Sequence, residues 1–424
     1  MRNIVGNWCE GEDHFNRELE LQALQERVRD GNHTLLTAQR RMGKTSLVRE
    51  LLRRLKETRE FETIFVDLEA AADPADAIAE IGVQSSTLRG VWDRIKDGFS
   101  NLLQTASGRI EELSVADLRV KLRAGIDAGN WQHRGDTLFA ALGENSRPVV
   151  LAIDELPILV NKMLKDDAGV VTPEGTRATE EFLSWLRKNG QAHGRRVCVI
   201  LSGSVGLEPL LEAAGLSPLA NIYFPYDLKP WSEETAADCL AALAESYGMR
   251  FPLKVREDMC RRLRCCIPHH VQVYFDKMRD HLRHAGREDA TPTDSEFVYE
   301  REMLSVRGQV HLQHYEGRLE TILGWVGYPI ALEILSATAV EGRLDGDAVE
   351  QYRCHYLARN AIADNAAPTV DQVLRMLEHD GYLERKDDGY CFVSGLLEDW
   401  WRNRHGASFR AAVEPRRRGQ GDPR

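Results

Sequence analysis

The residues with the clearest chemical potential in this chain form one short run near its start. They match the phosphate-binding pattern G-x-x-x-x-G-K-[ST], with alanine in place of the first glycine. In such a loop the backbone N–H groups and the following helix N-terminus attract a polyphosphate. Lys44 would reach the terminal phosphates, and the Thr45 hydroxyl would bind Mg²⁺. The predicted phosphate-binding residues are Ala38, Gln39, Arg40, Arg41, Met42, Gly43, Lys44, Thr45 and Ser46.

A loop of this kind needs a strand before it and a helix after it. Residues 33–37 form a short apolar run that predicts a buried strand, and residues 46–55 carry apolar side chains at helical spacing. The alternative is a chance match in a loop between unrelated elements. The flanking pattern argues against that alternative.

A second constellation ends another apolar run. Residues 148–155 predict a buried strand that closes on Asp154 and Glu155. This pattern resembles a Walker B element, in which Asp154 would hold Mg²⁺ together with Thr45. Glu155 would orient or deprotonate a water that attacks the terminal phosphate. An acidic turn after a strand is the plainer interpretation, but the phosphate-binding pattern upstream favours a hydrolysis site.

Residues 196–204 predict a further strand with a polar tip. Ser202 is the better candidate for a catalytic contact to the phosphate or the water, because it ends the apolar run. Ser202 and Ser204 could equally cap the following helix, and the sequence leaves these two readings open.

The order of elements predicts an α/β domain over the first 228 or so residues. Strand-like runs at 61–68 and 221–226 join those above, and helical patterns between them favour a mainly parallel sheet. An insertion is expected at about 88–135. Within it, residues 118–124 alternate apolar and basic, which predicts a strand whose basic face is either solvated or contacts a partner or nucleic acid. We favour the solvated face, made of Arg119, Lys121 and Arg123.

Composition limits the function classes. The net charge of −11 argues against a surface built throughout for nucleic acid or anionic membrane. The eight cysteines contain no C-x-x-C pair and are expected to be reduced thiols. Zinc binding by the cysteines and histidines of 260–270 is disfavoured against an apolar helix with buried cysteines. We expect no signal peptide or membrane span, and a cytoplasmic location.

The C-terminal part reads as helical. A lid is expected at 229–300, a connecting helix at 301–326, and a winged helix at 327–405. The winged helix would contain a third helix over 369–379 and a two-stranded wing over 382–393. Residues 406–424 are predicted to form a disordered basic tail.

Several of these segments together resemble a known family. Residues 15–24 (F-N-R-E-x-E-L-x-x-L), the loop, the Asp154–Glu155 pair and the Ser202 segment resemble motifs of archaeal-type ATPases. These belong to the AAA+/STAND group of P-loop NTPases and are related to replication-origin initiator ATPases. The resemblance implies a P-loop core with strand order 5-1-4-3-2, a helical lid, a winged helix, and ATP with Mg²⁺ as ligands.

Two departures from the family pattern bear on the rate of hydrolysis. No arginine precedes the last core strand at 220–222, where ring-forming relatives carry an arginine finger, and the lid reads Ile267-Pro268-His269-His270 without arginine. An arginine finger is worth about 10³–10⁵ in rate. The resemblance therefore implies slow hydrolysis by catalytic Glu155, Lys44 and Ser202.

Three functions remain in competition. The first is an ATP-dependent conformational switch, and the second is an ATP-licensed DNA-binding regulator that uses the winged helix. Helix 369–379 offers Gln372 and Arg375 to DNA but also Asp371 and Glu378, so a protein contact is at least as well supported. The third, a small-molecule kinase, is disfavoured by the paired acids and the C-terminal domains. A protein partner or DNA would contact the winged helix or the 88–135 insertion.

Overall fold

The computed structural model describes residues 1–98, 114–166, 169–203, 206–305, 310–363, 369–407 and 409–410. These residues form two compact units. The first contains described residues of 1–166, 171–230 and 267–272, and the second contains those of 167–170, 231–266 and 273–424.

A five-stranded parallel sheet forms the centre of the first unit. Its order, β2-β3-β4-β1-β5, is the predicted order 5-1-4-3-2 read from the opposite edge. Every residue of β3 and β4 is buried, which explains their unbroken apolar sequences, because both faces of the sheet are covered. The strands are β1 (Thr34–Thr37), β2 (Glu62–Asp67), β3 (Val149–Asp154), β4 (Val197–Ser202) and β5 (Phe224–Asp227).

The helices of the first unit connect these strands. The helix after the phosphate-binding loop buries Leu47, Leu51 and Leu55 on one face, as their helical spacing predicts. The helices are α1 (Glu18–Arg29), α2 (Lys44–Thr58), α3 (Pro74–Ser85), α4 (Arg89–Gly98), α5 (Val115–Gly125), α6 (Trp131–Gly143), α7 (Leu156–Leu164), α8 (Pro173–His193) and α9 (Leu207–Ala213).

The strand predicted at 118–124 is wrong, because this segment lies inside helix α5. A capping box between Ser114 and Asp117 starts the helix, and Leu118 and Leu122 are buried one turn apart. The alternation that suggested a strand is compatible with a helix, because alternate positions include the i, i+4 pair. The basic residues do not form a strand face: Arg119 pairs with Glu80 and Arg123 with Asp76, both on α3. Residues 99–113 of the insertion lie outside the described residues.

Among its described residues, the second unit is helical apart from one hairpin. The predicted two-stranded element is confirmed, with β6 (Leu383–Lys386) antiparallel to β7 (Gly389–Phe392). Most of the tail at 406–424 lies outside the described residues. The helices are α10 (Glu233–Ser246), α11 (Leu253–Leu263), α12 (Pro268–His284), α13 (Pro292–Val298), α14 (Val310–Glu341), α15 (Gly346–Ala363), α16 (Val370–His379) and α17 (Gly395–Trp401).

One segment of α14, His311–Glu341, has the length and apolar composition that a membrane span requires. Within its most apolar window, 61% is buried inside the protein. The helix is also interrupted at Gly324, whose backbone is not helical (φ 64°, ψ −176°). A mostly buried core helix meets the same criteria, so this segment is weak evidence for a membrane.

Candidate functional site

The loop between β1 and α2 has the backbone that a phosphate cradle requires. Gly43 (φ 84°) and Arg41 (φ 68°) are left-handed, whereas Ala38 is not among the residues with positive φ. Alanine can therefore replace the usual glycine at that position without strain. Gly43 is the N-cap of α2 and has no side chain to cap it, and the first N–H groups of a helix attract an anion.

Lys44 is held close to this loop. Its side chain is buried, and Nζ donates to the carbonyl oxygens of Ala38 at 2.8 Å and Gln39 at 3.1 Å. These contacts position an ammonium group over the loop. Met42, also in the loop, is 1% exposed and anchors it in the core.

Two hydroxyl groups from different elements converge on the Asp154 carboxylate. Thr45 Oγ1, in the first turn of α2, donates to Oδ2 at 2.7 Å, and Ser202 Oγ, at the end of β4, donates to Oδ1 at 2.6 Å. Asp154 is 4% exposed and Ser202 is 1% exposed. The parallel register of the sheet brings these groups together, because β3 and β4 end at the same edge.

Of the two readings of Ser202, helix capping is wrong. Its hydroxyl is engaged with Asp154, and α9 begins at an N-cap, Gly206, that supplies no side-chain hydrogen bond. Ser204 lies outside the described residues.

Glu155 has an unusual backbone conformation. It lies in the left-handed region (φ 58°, ψ 25°) directly before α7, and its N–H donates to Asp154 Oδ1 at 3.1 Å. A non-glycine residue in this region costs about 1–2 kcal/mol, so the surrounding structure must hold it there. Strain of this kind is frequent at functional positions.

A further carboxylate ends β2 at the same edge. Asp67 is opposite Asp154 in the strand register. Burial raises the pKa of Asp67, and the negative charge of Asp154 raises it further by a smaller amount. The sequence contains a signal for this residue, since Asp67 follows an apolar run as Asp154 does.

The N-terminal segment packs against α2 in a way that the sequence did not indicate. The Cys9 N–H donates to Ser46 Oγ at 3.1 Å. The Arg49 guanidinium lies 4.2 Å from the Trp8 ring centroid and 4.0 Å from that of Phe65. Burial lowers the pKa of Arg49. We name residues 8–11 the N-terminal strap.

The donor set fits the predicted ligands. The Thr45 hydroxyl and the Asp154 carboxylate are the hard oxygen ligands that Mg²⁺ prefers. They lie within hydrogen-bond distance of each other. The uncapped N-terminus of α2 and the Lys44 ammonium suit a phosphate chain.

The cysteines and histidines of 260–270 lack a metal-site arrangement. Cys260, Cys265 and Cys266 are buried free thiols. Across the part of the chain that the structure describes, no group of three or more His, Cys, Asp or Glu residues could hold a metal ion.

The basic rim of the C-terminal domain consists of Arg385 and Lys386 in the hairpin and Arg402 and Arg404 after it, and three of these four side chains form ion pairs within the chain. Asp371, an acidic residue of the predicted third helix, forms an ion pair with Arg353. The ion pairs of the rim join Lys386 to Glu384, Arg402 to Glu398 and Arg404 to Glu316.

Comparison of the whole structure with solved proteins decides the fold. The Walker-type ATPase PABY2304 of Pyrococcus abyssi aligns over 94% of this chain and 99% of its own length, with 20% identity and a TM-score of 0.58. The fold is that of a P-loop ATPase. The Aeropyrum pernix ORC2 protein, solved with ADPNP and ADP, aligns over 94% of this chain and 97% of its own, with 13% identity and a TM-score of 0.51. The resemblance to P-loop ATPases related to origin-recognition proteins is thus confirmed at the level of fold.

Sequence comparison adds little to this P-loop ATPase fold. No family model matches the sequence. A 202-residue stretch is 26% identical to the cobalt-zinc-cadmium resistance protein CzcA of Cupriavidus metallidurans and to the cation efflux system protein CzcA of an Alcaligenes strain. The match covers 46% of this chain and only 19% of the length of either relative.

Proposed function

We propose that this protein binds ATP with Mg²⁺ and hydrolyses it slowly, as a nucleotide-dependent conformational switch. The observation that carries the proposal is the convergence of Thr45 and Ser202 on the buried Asp154 carboxylate. It joins the phosphate-binding helix, the acidic strand end and the neighbouring strand at one edge of the sheet. An acidic turn without a catalytic role would not require these two hydroxyl contacts.

Each residue of this edge has a chemical role in the proposal. The N–H groups of the loop and of α2 bind phosphate oxygens, and Lys44 exchanges its carbonyl partners for the terminal phosphates. Thr45 and Asp154 would hold Mg²⁺, which would neutralise phosphate charge. Glu155 orients the attacking water and accepts its proton, while Ser202 fixes the Asp154 carboxylate.

Slow hydrolysis follows from what the sequence lacks. An arginine before the last core strand is absent at 220–222, and the lid carries His269 and His270 in place of a family arginine. A loss of about 10³–10⁵ in rate relative to arginine-finger enzymes suits a switch better than a motor. Both nucleotide states would then persist long enough for a partner to read them.

We propose a cytoplasmic protein partner, rather than DNA, as the reader of this switch. The winged helix proposed at 327–405 would make the contact. Intramolecular ion pairs occupy most of its basic rim, which leaves few cations for phosphates of a nucleic acid. DNA-licensed activity remains an outcome that the following experiment detects.

The test measures ATP hydrolysis and nucleotide binding of the wild type, Lys44→Ala and Glu155→Gln, each with and without duplex DNA. Lys56→Ala is the matched control, because Lys56 is an exposed lysine on the same helix. We expect Lys44→Ala to weaken binding and abolish hydrolysis. Glu155→Gln should bind ATP normally but hydrolyse it about 100-fold more slowly.

Three results would count against parts of this proposal. Equal hydrolysis by all variants would reject the site. Hydrolysis that DNA stimulates severalfold in the wild type would favour the DNA-binding regulator. Loss of activity in Lys56→Ala as well would indicate a general effect of removing charge from α2.

A further inference from the structure

Gly203, directly after Ser202, lies against the beginning of α7. A Cβ atom added at Gly203 would be 2.4 Å from Pro157 Cδ and 2.7 Å from Pro157 Cγ. Both distances are far below van der Waals contact. The obstacle is a proline ring, which cannot swing away as a long side chain could. Position 203 therefore accepts no side chain while Pro157 keeps its place.

Pro157 is closely tied to the backbone of Glu155. It is buried in the first turn of α7, for which Glu155 is the left-handed N-cap. The Ile158 N–H donates to the Glu155 carbonyl oxygen at 3.0 Å and closes this turn. A displacement of the proline ring would move the same turn, and with it the strained residue before it.

Gly203 is also close to the Glu155 carboxylate. The added Cβ would lie 3.6 Å from Glu155 Oε2, an ordinary contact distance. The tip of β4 thus meets both the backbone turn and the carboxylate of the proposed general base. Neither contact was visible in the sequence, because Pro157 and Gly203 belong to different strand ends.

We propose that Gly203 is a positioning residue for the hydrolysis assigned above, and that it acts by letting Pro157 close against the tip of β4. This contact holds Glu155 in its left-handed conformation, with the carboxylate beside the tip of β4. The inference rests on the proposed function, because it concerns the same base.

The position of the Glu155 carboxylate depends on the left-handed backbone of this residue. Glu155 would relax out of the left-handed region unless its neighbours held it, since that conformation costs about 1–2 kcal/mol. A general base displaced by about 1 Å can lose 100-fold in rate without any change in its chemistry. Phosphate binding by the loop and α2 does not involve this contact.

The experiment is a double-mutant cycle on Gly203→Ala and Pro157→Ala, with kcat for ATP hydrolysis and the Kd of a fluorescent ATP analogue as readouts. Gly203→Ala should lower kcat about 10- to 100-fold, with Kd within about threefold of the wild type. Pro157→Ala should lower kcat only about three- to tenfold. The double variant should match Pro157→Ala, because the clash is then gone.

Gly317→Ala is the matched control, because a Cβ at Gly317 meets nothing within 4 Å. If Gly203→Ala does not fold, Pro157→Ala and the double variant carry the test. Unchanged kcat in Pro157→Ala, or a double variant no better than Gly203→Ala, overturns the proposal. If Lys44→Ala lacks the hydrolysis that the wild type shows, while the kcat of Gly203→Ala equals that of Gly317→Ala, only this inference fails. If the wild type hydrolyses no ATP, the proposed function itself is rejected.

Discussion

The carboxyl edge of the sheet and the C-terminal helical region use buried carboxylates in opposite ways. Asp154 receives two neutral hydroxyl groups and a backbone N–H, none of which cancels its charge. Glu398, equally buried, receives the guanidinium groups of Arg264 and Arg402. Under the proposed function, a carboxylate bound by neutral donors keeps its charge for an external cation, whereas guanidinium groups neutralise the other carboxylate within the chain. We therefore expect substitution of Asp154 to affect hydrolysis and substitutions around Glu398 to affect stability.

The sharpest test of this contrast is Asp154→Asn. The amide keeps one oxygen acceptor, for Ser202, and its NH2 can donate to the Thr45 hydroxyl, but the charge is removed, so hydrolysis should fall by about 100-fold or more. The free energy of unfolding should change by no more than about 1 kcal/mol. Steady-state kinetics and urea denaturation measure the two quantities. In the control Asp136→Asn, which alters an acceptor for Trp185 and Asn189, hydrolysis should be unchanged. Equal rates of hydrolysis for Asp154→Asn and Asp136→Asn would contradict the distinction between the two kinds of carboxylate.

The second test concerns the C-terminal region, through Gly395→Ala. A Cβ at Gly395 would lie against the Arg264 guanidinium and 3.1 Å from the Arg262 carbonyl oxygen. The resulting strain should destabilise this region by about 1–3 kcal/mol, measured by denaturation, with kcat of the folded protein unchanged. Gly317→Ala again provides the unstrained comparison. Lost hydrolysis with intact stability would show that the region takes part in catalysis.

The smallest expected effect comes from His33, before β1. Its Nδ1 accepts from the Val199 N–H at 3.0 Å, while Nε2 contacts the Gly190 carbonyl oxygen at 3.1 Å. Burial lowers the pKa of His33 from its ordinary 6.5, which favours the neutral ring in the folded protein. The unfolded chain therefore binds the proton more readily, and the associated stability is complete above pH 6.5 and is lost as the pH falls below it.

Denaturation midpoints between pH 7.5 and 5 would check this expectation. His33→Gln should show a shallower decline with falling pH than the wild type, because one titrating group is gone. Parallel curves would contradict it. The kcat at each pH should be the same in both proteins, since His33 lies away from the carboxyl edge.

The strands and the phosphate loop were predictable because their signals are local. β3 and β4 are buried on both faces, which makes them continuous apolar runs, and the loop pattern fixes the positions of Lys44 and Thr45. The sequence placed Asp154 and Ser202 at the ends of two strands, but their direct hydrogen bond was not predicted, since Ser202 was expected to contact the phosphate or the water.

The remainder depended on contacts between distant segments or on overlapping patterns. In α5 an alternating sequence satisfied both strand and helix spacing, and the deciding signal was the Ser114–Asp117 capping box. The contact of Gly203 with Pro157 has no sequence signature at all. It is set by how closely two strand ends approach, which packing determines and local propensity does not.

The N-terminal strap has a practical consequence for handling the protein. Because the Cys9 N–H is bonded to Ser46, the Gly11 N–H to Glu50, and Trp8 stacks on Arg49, the strap lies against the helix that follows the phosphate loop. An affinity tag placed before the strap, or a protease cut that removes Trp8 and Cys9 together with a tag, would disturb the contacts of the strap with that helix. A purification handle for nucleotide titrations is therefore better placed at the other end of the chain.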